Sequence, residues 1–146
     1  MKKIYIKCKR AVRFLFYREL NINEQNEINK YLHDENILKL FWKMSKADRQ
    51  HSYEVFKRSK SKKNDMDLLV LSLLHDIGKS KIHANLFFRI FSELGLIKSK
   101  KSQYYIDHET IGLDLLKDNK IDKNIIEYYT NNLLKQKHNI LEITDY

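Results

Sequence analysis

His75 and Asp76 stand side by side at the end of the most apolar stretch of the chain, Leu68–Lys79. This stretch is apolar on nearly every side, so we expect a helix that runs through the middle of the fold. An imidazole and a carboxylate are costly to bury without a partner, and a metal ion binds both. Gly78 is expected to end the helix in the left-handed conformation. The doublet therefore predicts a metal site at the end of a buried helix.

Two further side chains are candidate partners of this doublet. His51 is spaced by four residues from Ala47 and from Val55, so it shares one helix face with them and points inward. On the last predicted helix, one face is expected to carry Leu134, His138, Leu141 and Asp145. Imidazole nitrogens and carboxylate oxygens together suit Fe, Mn, Co, Ni or Zn. Spacing alone leaves two alternatives open, namely that His51 is an ordinary core histidine and that Asp145 is a solvated carboxylate.

The elements that would position these groups are all expected to be helices, because apolar residues recur at helical spacing and strand-like alternation is short. Helices are expected at about residues 7–19, 21–33, 35–44, 45–56, 65–78, 83–94, 107–116, 122–132 and 133–145, with basic loops at 57–64 and 98–101. Helix starts are expected at Asn21 or Asn23, at Ser45 with Asp48 in capping-box spacing, at Asn64 or Asp65, and at Asp107. Gly95 is expected to end a helix, and Gly112 to pack closely against a neighbour.

Composition narrows the class of protein. A chain of 146 residues without a linker predicts one compact domain. Cys8 is the only cysteine, so no internal disulfide is expected, and we place the protein in the cytoplasm. No apolar run approaches the length that spans a bilayer, so no membrane partner is expected. The formal charge of +9 favours anionic partners, although lysine faces that are simply solvated are the favoured explanation of this charge.

The segment LLHDIGK at Leu73–Lys79 resembles the signature of the HD-domain metal-dependent phosphohydrolase superfamily. That family places a His on one helix, the His-Asp doublet at the end of a buried helix, and a distant Asp on a late helix. His51 in ADRQHSYEV and Asp145 in ILEITDY occur in this order. The segment DHETIGLDLL at Asp107–Leu116 is similar to one that follows the doublet in many HD and HDIG-type domains.

The resemblance divides the chain into two parts and implies an all-α, single-domain helical bundle of the HD type. Residues 44–146 carry the matching motifs, and residues 1–43 are expected to form a helical N-terminal extension that packs on this bundle. Members that hold two metals usually have a further His in the helix after the Ile-Gly segment. Ile125–Asn132 contains no His, so a single ion is expected.

The resemblance also implies roles for individual residues. Metal ligands are expected to be His51, His75, Asp76 and Asp145, around one divalent ion (Fe, Mn, Co, Ni, Zn or Mg). Asp76 would also orient the attacking water. Lys79 would stabilise developing negative charge, or it is simply a lysine favoured by the helix dipole. His108 would donate a proton or act as an outer ligand, or it packs under a loop.

The implied activity is hydrolysis of a phosphate ester or anhydride in a nucleotide or another small phosphorylated molecule. Two other interpretations stay open at this point. The first is a catalytically silent HD domain that serves as a metal-stabilised sensor or interaction module. The second is a small basic nucleic-acid-binding protein, which is less favoured because the lysine runs lack interleaved aromatic residues. The oligomeric state is also left open.

Overall fold

The computed structural model describes residues 15–82 and 85–146 together with Tyr5, Lys9 and Arg13. Within these residues the regular structure is entirely helical, which confirms the all-α prediction. The α-helices are α1 (Ile22–Tyr31), α2 (Glu35–Trp42), α3 (Lys46–Lys62), α4 (Met66–Leu74), α5 (Leu86–Glu93), α6 (Lys100–Ile106), α7 (His108–Asp118), α8 (Lys123–Tyr129) and α9 (Asn139–Thr144). A 3₁₀ helix, Ile77–Lys81, follows α4, and a π-helical segment, Thr130–Lys135, follows α8.

The apolar helix α4 is the centre of the fold. It packs against α1, α3 and α8, and four of its leucines have no exposed surface: Leu68, Leu69, Leu73 and Leu74. Burying a leucine side chain stabilises a fold by roughly 1.5–3 kcal/mol, so this helix contributes much of the core energy. In the described part of the chain no helix is both long enough and apolar enough to cross a membrane.

Local capping sets where several helices begin. Asn21 and Glu24 form a reciprocal capping box at the start of α1. The Ser45 side chain accepts a hydrogen bond from the Asp48 backbone N–H at the start of α3. Asp65 caps α4 by accepting from the backbone N–H of Leu68. These three starts agree with the sequence prediction, because a cap is decided by side chains within four residues of the helix start.

Several predicted boundaries are wrong. Residues 57–62 of the predicted basic loop at 57–64 are instead the last part of α3. The helix continues to Lys62 because lysine and arginine favour helices and because Val55, Phe56 and Ser59 are buried. The predicted loop at 98–101 is shortened, since Ser99 caps α6. The predicted helix at 7–19 lies largely outside the described residues, and residues 17–19, which are described, are not helical. His83, the predicted start of the helix at 83–94, also lies outside the described residues.

Gly78 plays a different role from the predicted one. It does not end α4 in the left-handed conformation, since α4 already ends at Leu74, and among the described glycines only Gly95 has a positive φ, of 72°. Gly78 lies in the 3₁₀ helix, where an added Cβ would collide with the backbone carbonyl of His108 on α7. Glycine is needed here because two stretches of main chain touch. Gly112, as predicted, packs closely, against the Tyr129 hydroxyl.

The last third of the chain differs from the two predicted helices at 122–132 and 133–145. The helix that starts at Lys123 widens into the π-helical segment, where Thr130 and Asn132 side chains bond the carbonyls of Ile126 and Tyr128. Side-chain donors of this kind compete with the regular helical ladder. His138 does not share an inward face with Asp145 but caps α9, its Nδ1 accepting from the Ile140 backbone N–H at 3.2 Å.

Candidate metal centre

The structure brings together four side chains that are far apart in the sequence. His51 lies on α3, His75 and Asp76 directly follow α4, and Asp145 directly follows α9. His51 Nε2 lies 3.0 Å from Asp145 Oδ1. His75 Nε2 lies 3.6 Å from Asp76 Oδ2 and 3.7 Å from Asp145 Oδ1. Ligand atoms of His51, His75 and Asp76 all lie within 4.8 Å of one another, so these three residues can hold a metal ion. Together with Asp145, which lies beside both histidines, they make up the candidate metal group.

A hydrogen bond to the main chain fixes the orientation of the His75 ring. Its Nδ1–H donates to the backbone carbonyl of Ser72 at 2.8 Å, and because a carbonyl only accepts, Nδ1 carries a proton. Nε2 is therefore the nitrogen that can offer a lone pair to a metal ion, which is the arrangement found in metal-binding histidines. Among the described residues this Nε2 atom is buried and has no hydrogen-bond partner. A buried nitrogen aimed between two carboxylates fits a metal ion.

The neighbours of Asp76 favour its ionised form despite its burial. Lys79 Nζ lies 2.7 Å from Oδ2, and His108 Nε2 lies 3.0 Å from Oδ1. Burial alone would raise the pKa of Asp76, but Lys79, His75 and His108 outweigh it and hold the pKa well below its usual range. The same Asp76 charge raises the pKa of Lys79. Both of the other predicted catalytic side chains, Lys79 and His108, thus contact Asp76 directly.

The residue before Asp145 belongs to a chain of buried hydroxyl groups. The hydroxyl of the preceding residue, Thr144, lies 3.0 Å from that of Ser59 on α3, and the Ser59 hydroxyl lies 3.1 Å from that of Ser72 on α4. The Asp145 side chain is only 12% exposed. Burial would raise its pKa, but His75 and His51 hold the pKa well below its usual range. The carboxylate is therefore charged and directed inward, rather than solvated.

Residues of α5 and α6 line one side of the site. A cavity of about 220 Å³ is lined by His51, Asp76 and Asp145 of the metal group and by Tyr17, Asp48, Lys79, Arg89, Tyr105, His108, Glu109 and Lys137, among others. The guanidinium of Arg89 pairs with Asp48 through both carboxylate oxygens, at 2.6 and 2.9 Å. The same guanidinium lies 5.6 Å from the centre of the Tyr105 ring. Basic and aromatic groups thus line the space beside the metal group.

Sequence reasoning missed the roles of some of these lining residues. The sequence pattern assigns Asp48 only to a capping box, and its partner Arg89 lies 41 positions away on another helix. Lys137 contacts Asp145 at 2.7 Å from the stretch between the π-helical segment and α9. Neither Arg89 nor Lys137 stands in a recognisable motif, so no sequence signal could have identified them.

The chemistry of the donor set and the comparison with protein families agree. Imidazole nitrogens with carboxylate oxygens suit divalent first-row metals, and the buried, ionised carboxylates fit such an ion. No curated protein and no solved structure matches the chain significantly. A family model described as HD domain matches residues 49–144, well over half of the chain. HD domains belong to a superfamily of metal-dependent phosphohydrolases. The chain therefore belongs to the HD domain family, as its LLHDIGK segment predicted.

Proposed function

We propose that this protein is a metal-dependent phosphohydrolase that acts on a nucleotide or another small phosphorylated molecule. One divalent ion would be held by His51, His75, Asp76 and Asp145. The observation that carries the proposal is the buried Nε2 of His75, which among the described residues has no hydrogen-bond partner and faces two ionised carboxylates. Membership of the HD domain family supports the same assignment.

The bound ion would supply the nucleophile, because a divalent metal lowers the pKa of its water towards about 7. Side chains of the protein would orient the water, stabilise the developing charge and donate the proton. Asp76 accepts a hydrogen bond and orients the attacking water. The buried ammonium of Lys79 offsets the negative charge that develops on the phosphoryl oxygens. His108 donates its Nδ1–H to the Tyr105 carbonyl, and its Nε2 faces Asp76; in the doubly protonated imidazolium, Nε2–H would donate its proton to the leaving oxygen and leave a neutral ring that is still protonated at Nδ1.

The size of the cavity supports a small phosphorylated end group as the part that is bound deeply. A volume of about 220 Å³ is below the roughly 300–1,000 Å³ of pockets that enclose drug-sized ligands. The phosphoryl group would enter this space, and the remainder of a nucleotide would lie at the opening. Three cationic side chains line the cavity, each paired with a carboxylate: Lys79, Arg89 and Lys137.

A second candidate is an HD domain that binds metal without hydrolysing anything and acts as a sensor or interaction module. The observation behind it is that, in the part of the chain described here, a single group of metal-ligating side chains is found. Such a module would bind the ion as tightly as an enzyme does. It would differ by remaining silent in every hydrolysis assay.

The decisive experiment compares metal content and turnover in the wild type and in Asp76→Ala. Protein purified without a metal-affinity tag and without oxygen is expected to carry about one equivalent of a transition metal, and Asp76→Ala to carry none. Exposed Asp114 on α7 gives the matched control Asp114→Ala, which should behave as the wild type. A screen of nucleotides and phosphate esters with Mn, Fe, Co and Mg then separates enzyme from module.

We expect turnover in the wild type and a loss of roughly 1,000-fold or more in Asp76→Ala, with helicity retained by circular dichroism, because both the ion and the oriented water are lost. Unchanged turnover in Asp76→Ala would contradict the proposed mechanism. A metal-loaded wild type without turnover on any substrate would favour the silent module instead.

A further inference from the structure

Two lysines flank the candidate metal group, and each contacts one of its carboxylates at the same distance. Lys79 Nζ lies 2.7 Å from Asp76 Oδ2, and Lys137 Nζ lies 2.7 Å from Asp145 Oδ2. The two side chains differ in exposure, at 13% for Lys79 and 31% for Lys137. The two ion pairs thus lie at different depths. The Lys79–Asp76 pair lies inside the cavity, and the more exposed Lys137–Asp145 pair lies at its opening.

Lys79 is fixed where it is. It belongs to the 3₁₀ helix, and its ammonium lies 5.7 Å from the centre of the Tyr105 ring. Moving it would leave both Lys79 and Asp76 buried without each other, which costs several kcal/mol per ion when the charges are deeply buried. We therefore expect Lys79 to keep its partner throughout the reaction.

Lys137 is placed to exchange partners. It stands in the irregular stretch between the π-helical segment and α9, and that stretch is anchored by the His138 backbone N–H, which donates to the Asn132 carbonyl at 2.8 Å. This hydrogen bond joins backbone atoms alone, so the Lys137 side chain can turn without moving the main chain. About a third of the Lys137 side chain is exposed, so water can solvate its ammonium when it leaves Asp145. Lys137 can therefore leave Asp145 at a small cost.

The two oxygens of Asp145 face different neighbours. Oδ1 faces His51 and His75, on the side of the candidate metal group, whereas Oδ2 faces Lys137. A divalent ion bound on the Oδ1 side would share the carboxylate charge with the Lys137 ammonium. Two cations on one carboxylate repel each other, so metal binding and the Lys137 contact oppose one another.

We infer that Lys137 is the residue that binds the substrate anion at the cavity opening, exchanging Asp145 for the phosphoryl group once the metal is bound. The inference rests on the proposed function, because it takes the metal and a phosphorylated substrate as given. The cavity lining is suited to this exchange, since its acidic groups outnumber its lysine and arginine groups until a divalent ion is added: Asp48, Asp76, Glu109 and Asp145 against Lys79, Arg89 and Lys137. Lys137 thus couples metal binding to anion binding.

The test measures Mn²⁺ and inorganic phosphate binding by titration calorimetry in the wild type, in Lys137→Gln and in Lys135→Gln. Lys135 is exposed and lies two positions away, so its variant makes the same change of net charge and is the matched control. Lys137→Gln is expected to bind Mn²⁺ about three- to tenfold more tightly, because a competing cation is gone. The Mn²⁺-loaded variant should bind phosphate about tenfold more weakly, because a charge-assisted hydrogen bond is lost. The control should stay within about twofold of the wild type in both measurements.

A gain in Mn²⁺ affinity distinguishes this role from a merely structural one, since a damaged site would bind the metal more weakly. Unchanged or weaker Mn²⁺ binding by Lys137→Gln, or unchanged phosphate binding, would overturn the inference while leaving a hydrolytic wild type as proposed. The expected shifts without turnover on any substrate would overturn the proposed function and leave the role of Lys137 standing. A wild type that binds no Mn²⁺ would overturn both.

Discussion

Two buried charged clusters face the same cavity, and they differ in whether their polar atoms are fully paired. In the Asp48–Arg89 pair, both carboxylate oxygens meet both terminal guanidinium nitrogens. Asp48 Oδ2 additionally accepts from the Ser45 hydroxyl at 2.6 Å. In the His75–Asp76 doublet, by contrast, the Nε2 atom of the histidine lacks a hydrogen-bond partner among the described residues.

The difference teaches how to separate a structural ion pair from a binding site. Both clusters are buried and both contain strong charges, so burial alone does not distinguish them. The Asp48–Arg89 pair satisfies itself and joins the start of α3 to α5. The doublet keeps an unsatisfied nitrogen beside charged oxygens, and this remaining capacity is what a ligand can use.

The largest expected effect on stability comes from breaking the Asp48–Arg89 ion pair. Asp48→Ala leaves the Arg89 guanidinium buried without this carboxylate, which typically costs about 3–5 kcal/mol in the free energy of unfolding. Urea denaturation followed by circular dichroism measures this loss. The double variant Asp48→Leu with Arg89→Met removes both charges and should recover most of the stability. A loss below about 1 kcal/mol in Asp48→Ala would show that the pair is not structural.

An intermediate effect is expected from a variant that tests whether the chain of buried hydroxyl groups positions Asp145 for metal binding. Thr144→Val removes the hydroxyl that contacts Ser59 and donates to the Ile140 carbonyl, which should cost about 1–2 kcal/mol of stability. Because Thr144 precedes Asp145, we also expect Mn²⁺ affinity to fall about tenfold. Thr144→Ser keeps the hydroxyl and should retain the Mn²⁺ affinity measured by calorimetry. Equal affinities in the Val and Ser variants would mean that the hydroxyl does not position Asp145.

The smallest effect concerns a partly exposed ion pair between α1 and α3, Glu27–Lys60. Glu27 accepts hydrogen bonds from Tyr53 and Lys60, each at 2.7 Å. Partial burial raises the pKa of Glu27, but Lys60 and Tyr53 outweigh it, so the net pKa is lowered. A lowered pKa stabilises the folded state above the unfolded value of about 4.3, and the contribution is lost as pH falls through the folded pKa.

Because solvent screens this partly exposed pair, Glu27→Gln should cost only about 0.5–1 kcal/mol at neutral pH and almost nothing near pH 3. Urea denaturation at both pH values measures the difference from the wild type. Mn²⁺ affinity at neutral pH serves as the control and should not change. A cost that is equally large at both pH values would show that the contribution of Glu27 is not electrostatic.

Sequence reasoning predicted the features that depend on nearby residues. The buried character of α4 follows from its unbroken apolar composition, and the caps at Asn21, Ser45 and Asp65 follow from side chains within one turn. The position of the doublet at the end of α4 follows in the same way. These features needed no knowledge of the rest of the fold, because the interactions that decide them are local.

The remaining features depend on contacts between distant segments. The continuation of α3 through the basic stretch is favoured by burial of Val55 and Phe56, which spacing alone does not reveal. The partnership of Asp48 with Arg89, and of Lys137 with Asp145, exists only after α5 and α9 have docked. Sequence order named candidate ligands for the metal group, but only the fold could bring them within a few ångströms.

The contact between Gly78 and the backbone of α7 also bears on how the chain can vary. Because the His108 carbonyl occupies the space of a side chain at position 78, the separation of Asp76 from His108 is set by two touching main chains. Exposed Asp114 and Lys117 of α7 point away from this contact and face solvent. Mutational drift on the outer surface of α7 can therefore alter its charge and its neighbours while the spacing of Asp76 and His108 is inherited unchanged.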